Sequence, residues 1–456
     1  MRVLLLSTYE LGRQPFGLAS PAAWLRDAGF EVVVEDLSRD RLDESAVRDA
    51  GLVALFLPMH TATRLALPVI ARLRALNPSA HLCAYGLYAP VNEALLRRRG
   101  VKTILGVEFE GDLVALARMV DEGSTLSQPE NASPRAATLP KLRFHVPDRS
   151  GLPSLDRYAT LSWPDGSTRI AGYTEASRGC KHRCRHCPVV PVYDGRFRVV
   201  DVDVVIGDVR AQVAAGAAHI TFGDPDFFNG IGHARRLVTA FAQEFPTVSY
   251  DVTIKVEHLL KHRADLPLLR DTGCAMVTSA VEAIDDDLLE LLEKGHTAAD
   301  FERAAELMDS VGLPLAPTFV AFTPWTTLEG YIELLDTVER LGLVAQVSPI
   351  QWAIRLLIPA GSRLLELQDV RTRIDEFDPA ALAFPWRHED RRVDILQRRV
   401  AALIGRRQGA SRGDLFESIR AMAVSMCDDP SIVRARALPP PVARASVPYL
   451  TEPWYC

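Results

Sequence analysis

The sequence predicts an α/β protein: a doubly wound parallel sheet first, then a partial (β/α)6 barrel, then a helical C-terminal region. Three observations carry this. Short apolar runs alternate with amphipathic helical stretches twice, over residues 1–120 and again over 171–350, the pattern of buried parallel strands joined by helices. Between them, residues 121–140 are rich in Ser, Pro, Asn and Ala without periodicity, the composition of a linker. The chain has 456 residues, 48% hydrophobic and 24% charged. That supports a sizeable core and excludes a disordered or low-complexity chain.

In the first unit the strand candidates are residues 3–7, 31–35, 52–57, 81–85 and 103–105, with helical patterns between them such as 21–28 and 61–76. Ligands of such sheets bind beyond the carboxyl ends of the strands, here at loops 8–20 and 58–63. Residues 141–170 form an ordered but irregular lead-in, because Pro147, Pro153 and Pro164 break any helix. The barrel strands are expected at 171–177, 219–222, 248–254, 276–280, 315–320 and 344–348. The helices between them fall at 203–214, 233–244, 258–271, 286–292 with 298–311, and 328–341. Barrels of this kind carry their chemistry at the C-terminal ends of the strands. Residues 351–456 are Arg-rich and helical and end in a Pro-rich tail. Their acids, among them Asp375, Glu376, Glu389, Asp390, Asp394, Asp414 and Glu417, make solvated helix faces and not a phosphate-binding stripe. The expected domains are therefore 1–120, a linker and lead-in over 121–170, 171–350 and 351–456.

A net charge of −6 gives no basis for a nucleic-acid or membrane-surface role. The apolar start at residues 3–6 is too short for a signal peptide, and no apolar run approaches the ~18 residues of a membrane-spanning helix. The expectation is a soluble, cytoplasmic protein without nucleic-acid or membrane partners. Seven cysteines, odd and sparse for the length, fit a reducing compartment and not a disulfide scaffold. Cys83 and Cys274 lie in apolar strand contexts and read as packing residues, and Cys427 has no evident role. Three others crowd into residues 180–187, and Cys456 is last.

The crowded segment is Glu175-Ala176-Ser177-Arg178-Gly179-Cys180-Lys181-His182-Arg183-Cys184-Arg185-His186-Cys187-Pro188. Its C-x3-C-x2-C spacing follows the first barrel strand, so three thiolates on one loop can converge on one metal centre. A four-iron cluster held by three thiolates leaves one iron open to a further ligand. Structural zinc needs a fourth protein ligand, which His182 or His186 could supply, and spacing alone leaves both centres open.

This motif behind the first strand of a partial barrel resembles the radical S-adenosylmethionine (SAM) superfamily. The resemblance implies a radical SAM barrel with a 4Fe-4S cluster on Cys180, Cys184 and Cys187. The fourth iron would chelate the amino and carboxylate groups of S-adenosyl-L-methionine. Electron transfer would then split a carbon–sulfur bond to give a 5′-deoxyadenosyl radical. It implies a small-molecule substrate and an electron donor such as flavodoxin or ferredoxin. It places His186, before the third cysteine, against the adenine. After the second strand the superfamily often has Gly-Gly-Glu, which binds the methionine amine. Here the segment is Phe222-Gly223-Asp224-Pro225-Asp226-Phe227-Phe228-Asn229-Gly230, in which Gly223 is a cofactor-binding candidate and either Asp224 or Asp226 accepts the ammonium. The same residues are also plain turn formers. Glu282, ending the fourth strand, stands where a polar residue touches the ribose or the methionine carboxylate; a helix cap by Glu282 or Asp285 is the other reading. Lys255 and Glu257 lie just past the third strand and could face the site. Lys294-Gly295-His296 reads as a helix C-cap.

Residues 172–179, 223–230, 322–327 and 354–359 resemble a narrower group, the CUAEP/CCAEP-tail radical SAM proteins, with similarity from about Met1 to the end. That family carries a C-terminal Cys-Cys-Ala-Glu-Pro whose second Cys is selenocysteine in some members. This chain stops at Tyr455-Cys456, the first Cys of that tail. The expectation is a product that continues Sec-Ala-Glu-Pro past a selenocysteine codon read as stop, making Cys456 half of a reactive catalytic pair; a chain truly ending at Cys456 is the alternative. Such a pair could bind a soft ion such as trivalent arsenic. The N-terminal unit resembles the cobalamin-binding domain that precedes many radical SAM barrels. No Asp-x-His-x-x-Gly motif occurs, and His60 stands in Pro58-Met59-His60-Thr61. Cobalamin bound without an axial histidine and a domain reduced to a scaffold or a substrate-binding unit both stay open. The function expected is radical chemistry on a small-molecule or soft-element substrate. The alternatives are 3-amino-3-carboxypropyl transfer from SAM to a soft nucleophile, and a non-catalytic metal or iron–sulfur sensor.

Overall fold

The computed structural model describes residues 1–123, 143–407, 409–427, 444 and 447–451. Five short apolar runs form β1 (Arg2–Ser7), β2 (Glu31–Asp36), β3 (Ala50–Phe56), β4 (His81–Tyr85) and β5 (Thr103–Ile104). They pair in parallel in the order β2-β1-β3-β4-β5. Successive β1 side chains point to opposite faces, and both faces are covered. Val3 and Leu5 pack with Leu18, Leu25 and Leu113 of helices Phe16–Asp27 and Glu110–Asp121. Leu4 and Leu6 pack with Ala66, Ile70 and Leu73 of helix His60–Leu76. This double coverage explains why β1 reads as a continuous apolar run. The strand order reverses between β1 and β3, the switch point where such sheets bind ligands.

The second sheet contains β6 (Thr160–Ser162), β7 (Thr168–Thr174), β10 (His219–Phe222), β11 (Ser249–Thr253), β12 (Cys274–Glu282), β13 (Leu315–Phe319) and β14 (Tyr449–Leu450). β8 (Ser177–Gly179) and β9 (Phe197–Val199) form a separate antiparallel pair. The order is β13-β12-β11-β10-β7-β6-β14. β7 and β10 to β13 run parallel as a half-barrel, and β6 and β14 extend its β7 edge in antiparallel fashion. The α/β class is as predicted, with two differences of detail. The expected strand 171–177 divides, because Asp224 accepts hydrogen bonds from the Ala176 amide at 3.0 Å and from the Ser177 hydroxyl. That draws the backbone off the β7 line and starts β8. Residues 344–348 are not a strand: Val347 is fully buried, but a tight turn at Pro349–Ala353 follows at once. The sixth position is instead a single parallel bridge, in which Phe322 N donates to Ile354 O at 2.9 Å and Leu356 N to Phe322 O at 2.8 Å.

The C-terminal region supplies helices Gln368–Arg373, Arg391–Arg406 and Arg412–Ser425. Its arginines pair with acids, Arg373 with Asp369 and Glu389, Arg355 with Asp394. The stretch between bridges Ile374–Trp386 and Asp378–Ala383 folds back to the first sheet. There Leu382 is fully buried among Leu57, Ala66 and Tyr88. Cys83 and Cys274 are buried in apolar cores, and Cys427 Sγ donates to Glu329 at 3.2 Å. Most of the expected linker and Cys456 lie outside the described residues. Among the described residues no helix is long and apolar enough to cross a membrane.

Candidate active site

The cysteine loop leaves β8 at Gly179, whose backbone φ of +77° suits glycine. The hairpin before it is locked from below. Arg178, 6% exposed, donates both terminal nitrogens to Glu110 at 2.7 and 3.0 Å and its Nε to Glu175 at 2.8 Å. Cys180 and Cys184 are buried, Cys187 is half-buried, and none is in a disulfide. Burial pushes the Cys187 thiol up to about 12, helped by the charges of Cys184 and Cys180, and the Cys187 amide donates to Cys184 O at 3.2 Å. Lys255 Nζ stands 3.9 Å from Cys184 Sγ. The Asn229 carbonyl stands 3.9 Å from Cys180 Sγ and accepts from Lys181 N at 3.2 Å. Three free thiols on one short loop match the donor set of an iron–sulfur centre.

Across the barrel mouth stands Glu282, at the end of β12. The pairing of β12 with β13 slips between Ala280 and Glu282, and Glu282 takes a φ of +71°, a strained conformation for a side chain of this size. The slip aims its carboxylate at His186 Nε2, 3.0 Å away, and at Lys294 Nζ, 3.3 Å away. Burial alone would raise the Glu282 pKa, but Lys294 and His186 outweigh it and hold it near 2. The carboxylate is thus ionised at neutral pH beside the third cysteine. Ser279 Oγ and both ring nitrogens of His296 are buried and lack a well-formed hydrogen bond. Buried polar atoms are normally satisfied, so these fit a bound polar molecule such as SAM.

The Gly223-Asp224-Pro225-Asp226 turn divides its residues between roles. A Cβ on Gly223 would meet the Tyr173 hydroxyl at 1.9 Å, so packing against Tyr173 requires this glycine. Asp224 has both oxygens engaged with residues 176 and 177, and burial raises its carboxyl to about 7. Neither points at the cysteines. Asp226 does: it is fully buried, 2.7 Å from His258 Nδ1 and 3.3 Å from His182 Nε2. The structure thus brings together Cys180, Cys184, Cys187, His186, Glu282 and Asp226, and turns Gly223 and Asp224 toward the base of the loop. Lys255 and Glu257 face the site, 3.7 Å apart. Sequence reasoning named His182 only as a possible fourth zinc ligand, read Lys294 and His296 as parts of a helix C-cap, and passed over His258. Gly295 does sit in the left-handed region as a helix end requires, but the same turn sends Lys294 inward, 2% exposed. His258 and His262, one helical turn apart, were a signal.

The first sheet's switch-point edge is closed by the chain itself. Ser7, Leu57, Tyr85 and Leu382 have no exposed surface or next to none. The Phe56 ring lies against the Gly17 backbone, where a Cβ would meet it at 2.1 Å. His60 Nε2 meets Ala381 O. Ser7 Oγ, Glu10 Oε2 and His60 Nδ1 at the same edge are buried without a hydrogen-bond partner, the feature read above as fitting a bound polar molecule.

Residues 174–338 match the family described as Radical SAM superfamily, a match over less than half of the chain. The half-barrel with its cysteine loop is thus a radical SAM domain. The hopanoid C-3 methylase of Methylococcus capsulatus (strain Bath) is 26% identical over 151 residues, 33% of this chain. The match spans 29% of that relative's length. Among solved structures, the radical SAM methyltransferase TsrM from Kitasatospora setae, with tryptophan substrate and a SAM analog bound, is 20% identical. It aligns over 81% of this chain and 76% of its own, with a TM-score of 0.65. The cobalamin-dependent SAM radical enzyme OxsB, with aqua-cobalamin and SAM bound, aligns over 93% of this chain and 71% of its own, with a TM-score of 0.68 and 12% identity. At these identities the likeness is one of fold.

Proposed function

We propose that the chain is a radical SAM enzyme that holds a 4Fe-4S cluster on Cys180, Cys184 and Cys187 and reductively cleaves SAM to begin radical chemistry on a small molecule. The observation that carries this is the set of three thiols on one loop beside an ionised Glu282 and a buried, unpartnered Ser279 hydroxyl. The cluster, when bound, supplies the electron that splits SAM. The rest is work for the chain's own side chains. Lys255 offsets thiolate charge at Cys184. Glu282, oriented by His186 and Lys294, accepts hydrogen bonds from a bound ammonium or hydroxyl. Ser279 and His296 offer further polar contacts, and the His186 ring presents a face for stacking. The buried wall of Phe222, Phe227, Phe228 and Tyr250 excludes water from behind β10 and β11. The electron would come from a small donor such as flavodoxin or ferredoxin.

We read the first sheet as a scaffold or substrate-binding unit, and no step is routed through a corrinoid. Methyl transfer is the second reading, favoured by the similarity to the hopanoid methylase. Products from the anaerobically reconstituted full chain with dithionite and SAM separate the readings. 5′-Deoxyadenosine, absent in Cys184→Ala, is the expected result. 5′-Methylthioadenosine would indicate 3-amino-3-carboxypropyl transfer. S-adenosylhomocysteine, together with retention of added hydroxocobalamin, would indicate cobalamin-dependent methyl transfer. No turnover, with zinc in the purified protein, would overturn the enzyme reading in favour of a metal sensor.

A further inference from the structure

The outer face of the cysteine loop is opposite in sign to the chain as a whole. Lys181 and Arg183, which stand between Cys180 and Cys184, are exposed, and so is Arg196, the residue before β9. Printed contacts join them into one patch. Lys181 Nζ lies 5.0 Å from the centre of the Phe197 ring. A Cβ on Gly195 would meet Lys181 O at 3.4 Å and the Arg183 side chain at 3.5 Å. Arg183 pairs with Asp194 at 2.6 Å, both more than half exposed. Arg196 has no ion pair among the described residues. Behind Arg183, Arg363 donates to its carbonyl and is balanced by Glu293 and Glu366, and Arg185 shares Glu293. Glu257, the other acid near the loop, is matched by Lys255 at 3.7 Å. The loop face thus keeps an excess of positive charge on a chain whose net charge is −6.

We propose that Lys181, Arg183 and Arg196 form the docking face for an acidic electron-transfer protein that delivers single electrons to the cysteine loop. This rests on the cluster reading above and adds where the donor sits. Electron transfer slows steeply with distance, so the donor must approach where least protein covers the cluster. The barrel covers one side of the loop, through Lys255 at Cys184 and Glu282 at His186. The other side is the loop's own surface, where the two basic side chains alternate with cluster cysteines and Cys187 is only half-buried. Charge selects the partner. A chain of net charge −6 repels an acidic protein over most of its surface, and a local patch of the opposite sign turns that protein to one orientation and speeds its encounter. Half-buried Phe197 and Val199, 43% exposed, supply apolar contact beside the bases, enough for the small, transient interfaces of redox partners. In the step itself one electron leaves the donor's reduced cofactor and enters the oxidised cluster; no bond forms or breaks and no proton moves.

The test uses the full chain and an acidic bacterial flavodoxin as the probe. Reduced flavodoxin should bleach the visible absorption of the reconstituted cluster at a rate that falls as salt is added, because screening weakens the attraction. Lys181→Glu/Arg196→Glu should slow that reduction by about tenfold or more at low salt and leave reduction by dithionite, which needs no docking face, unchanged. The same variant should weaken flavodoxin binding to the chain before reconstitution, measured by calorimetry. Asp194→Asn sits at a φ of +45° that asparagine tolerates. It removes the patch's own carboxylate and should speed reduction by flavodoxin, a gain that misfolding cannot produce. Arg398→Glu/Arg399→Glu, two exposed arginines of helix Arg391–Arg406, should change neither rate nor binding. The proposal is overturned by a salt-independent rate, by wild-type binding in the Lys181/Arg196 variant, by an equal loss in the Arg398/Arg399 variant, or by no gain in Asp194→Asn. Binding is read without the cluster, so a chain that assembles none refutes the functional reading above and leaves the docking result to stand or fall by itself.

Discussion

Asp224 shows how one buried carboxyl can shape a site without entering it. Its two oxygens hold the amide of Ala176 and the hydroxyl of Ser177, which fixes where β7 ends and the cysteine hairpin begins. Burial raises its pKa from 3.8 to about 7, against the lowering effect of those two bonds. The folded state therefore holds its proton more tightly than the unfolded chain. The stability this gives is complete below 3.8, declines as pH rises to about 7, and is flat above that. Asp224→Asn removes the titration, so urea midpoints measured across that window should fall less steeply with pH than in the wild type. An unchanged slope would assign the pH dependence to other groups. Glu282 and Asp226 run the opposite way, both held near 2, and their stabilisation disappears only as the pH drops below the usual carboxylate range.

The β8–β9 hairpin carries the cysteine loop, and one side chain anchors it. Arg178 bridges Glu175, in the link between β7 and β8, and Glu110 on the helix of the first sheet, and its guanidinium lies near the rings of Phe16, Phe109 and Phe144. Removing one partner of a buried pair leaves the others charged and dry, at a cost of ~3–5 kcal/mol. Arg178→Ala should lower the melting temperature and, because Gly179 and Cys180 follow directly, reduce iron bound per chain after reconstitution. Full iron content in a destabilised variant would show that the loop is positioned without this anchor. β12 makes a different point. Its sequence reads as a plain apolar strand up to Glu282, and only the slip against β13 turns that carboxylate toward His186. Pairing geometry, not strand propensity, makes Glu282 a candidate site residue.

The first sheet and the half-barrel are stitched together by segments far apart in sequence. Arg149 of the lead-in donates to Asp208 and Gln14, and Tyr193 donates to Glu108 at 3.0 Å. The C-terminal stretch returns to set Leu382 in the core of the first sheet. Truncating a buried leucine costs ~2–5 kcal/mol, depending on how far the site collapses. Leu382→Ala should therefore lower the denaturant midpoint of the first sheet although it lies outside that unit in sequence. Leu382 has a φ of +53°, a conformation alanine finds equally strained, so the loss would report the cavity and not the backbone. A first sheet unfolding at its wild-type midpoint would mean that the contact contributes nothing.

The sequence by itself determined the class of the protein. Two rounds of strand–helix alternation gave two parallel α/β units, because strands covered on both faces must be continuously apolar. C-x3-C-x2-C placed three thiolates on one loop, because that spacing is local and needs no tertiary information. What the sequence could not decide was which polar residues meet. His186 and Glu282 were legible as candidates, but Lys294 looked like a helix end. Asp224 and Asp226, two residues apart, looked interchangeable. Only the packed barrel separates them: Asp224 turns to the loop's backbone and Asp226 to His182 and His258. Likewise the first sheet has the strand order of a ligand-binding fold, and only the returning C-terminal chain closes its edge. Local spacing is written along the chain; convergence of distant side chains depends on strand register and on which surfaces bury each other, and both exist only in the folded protein.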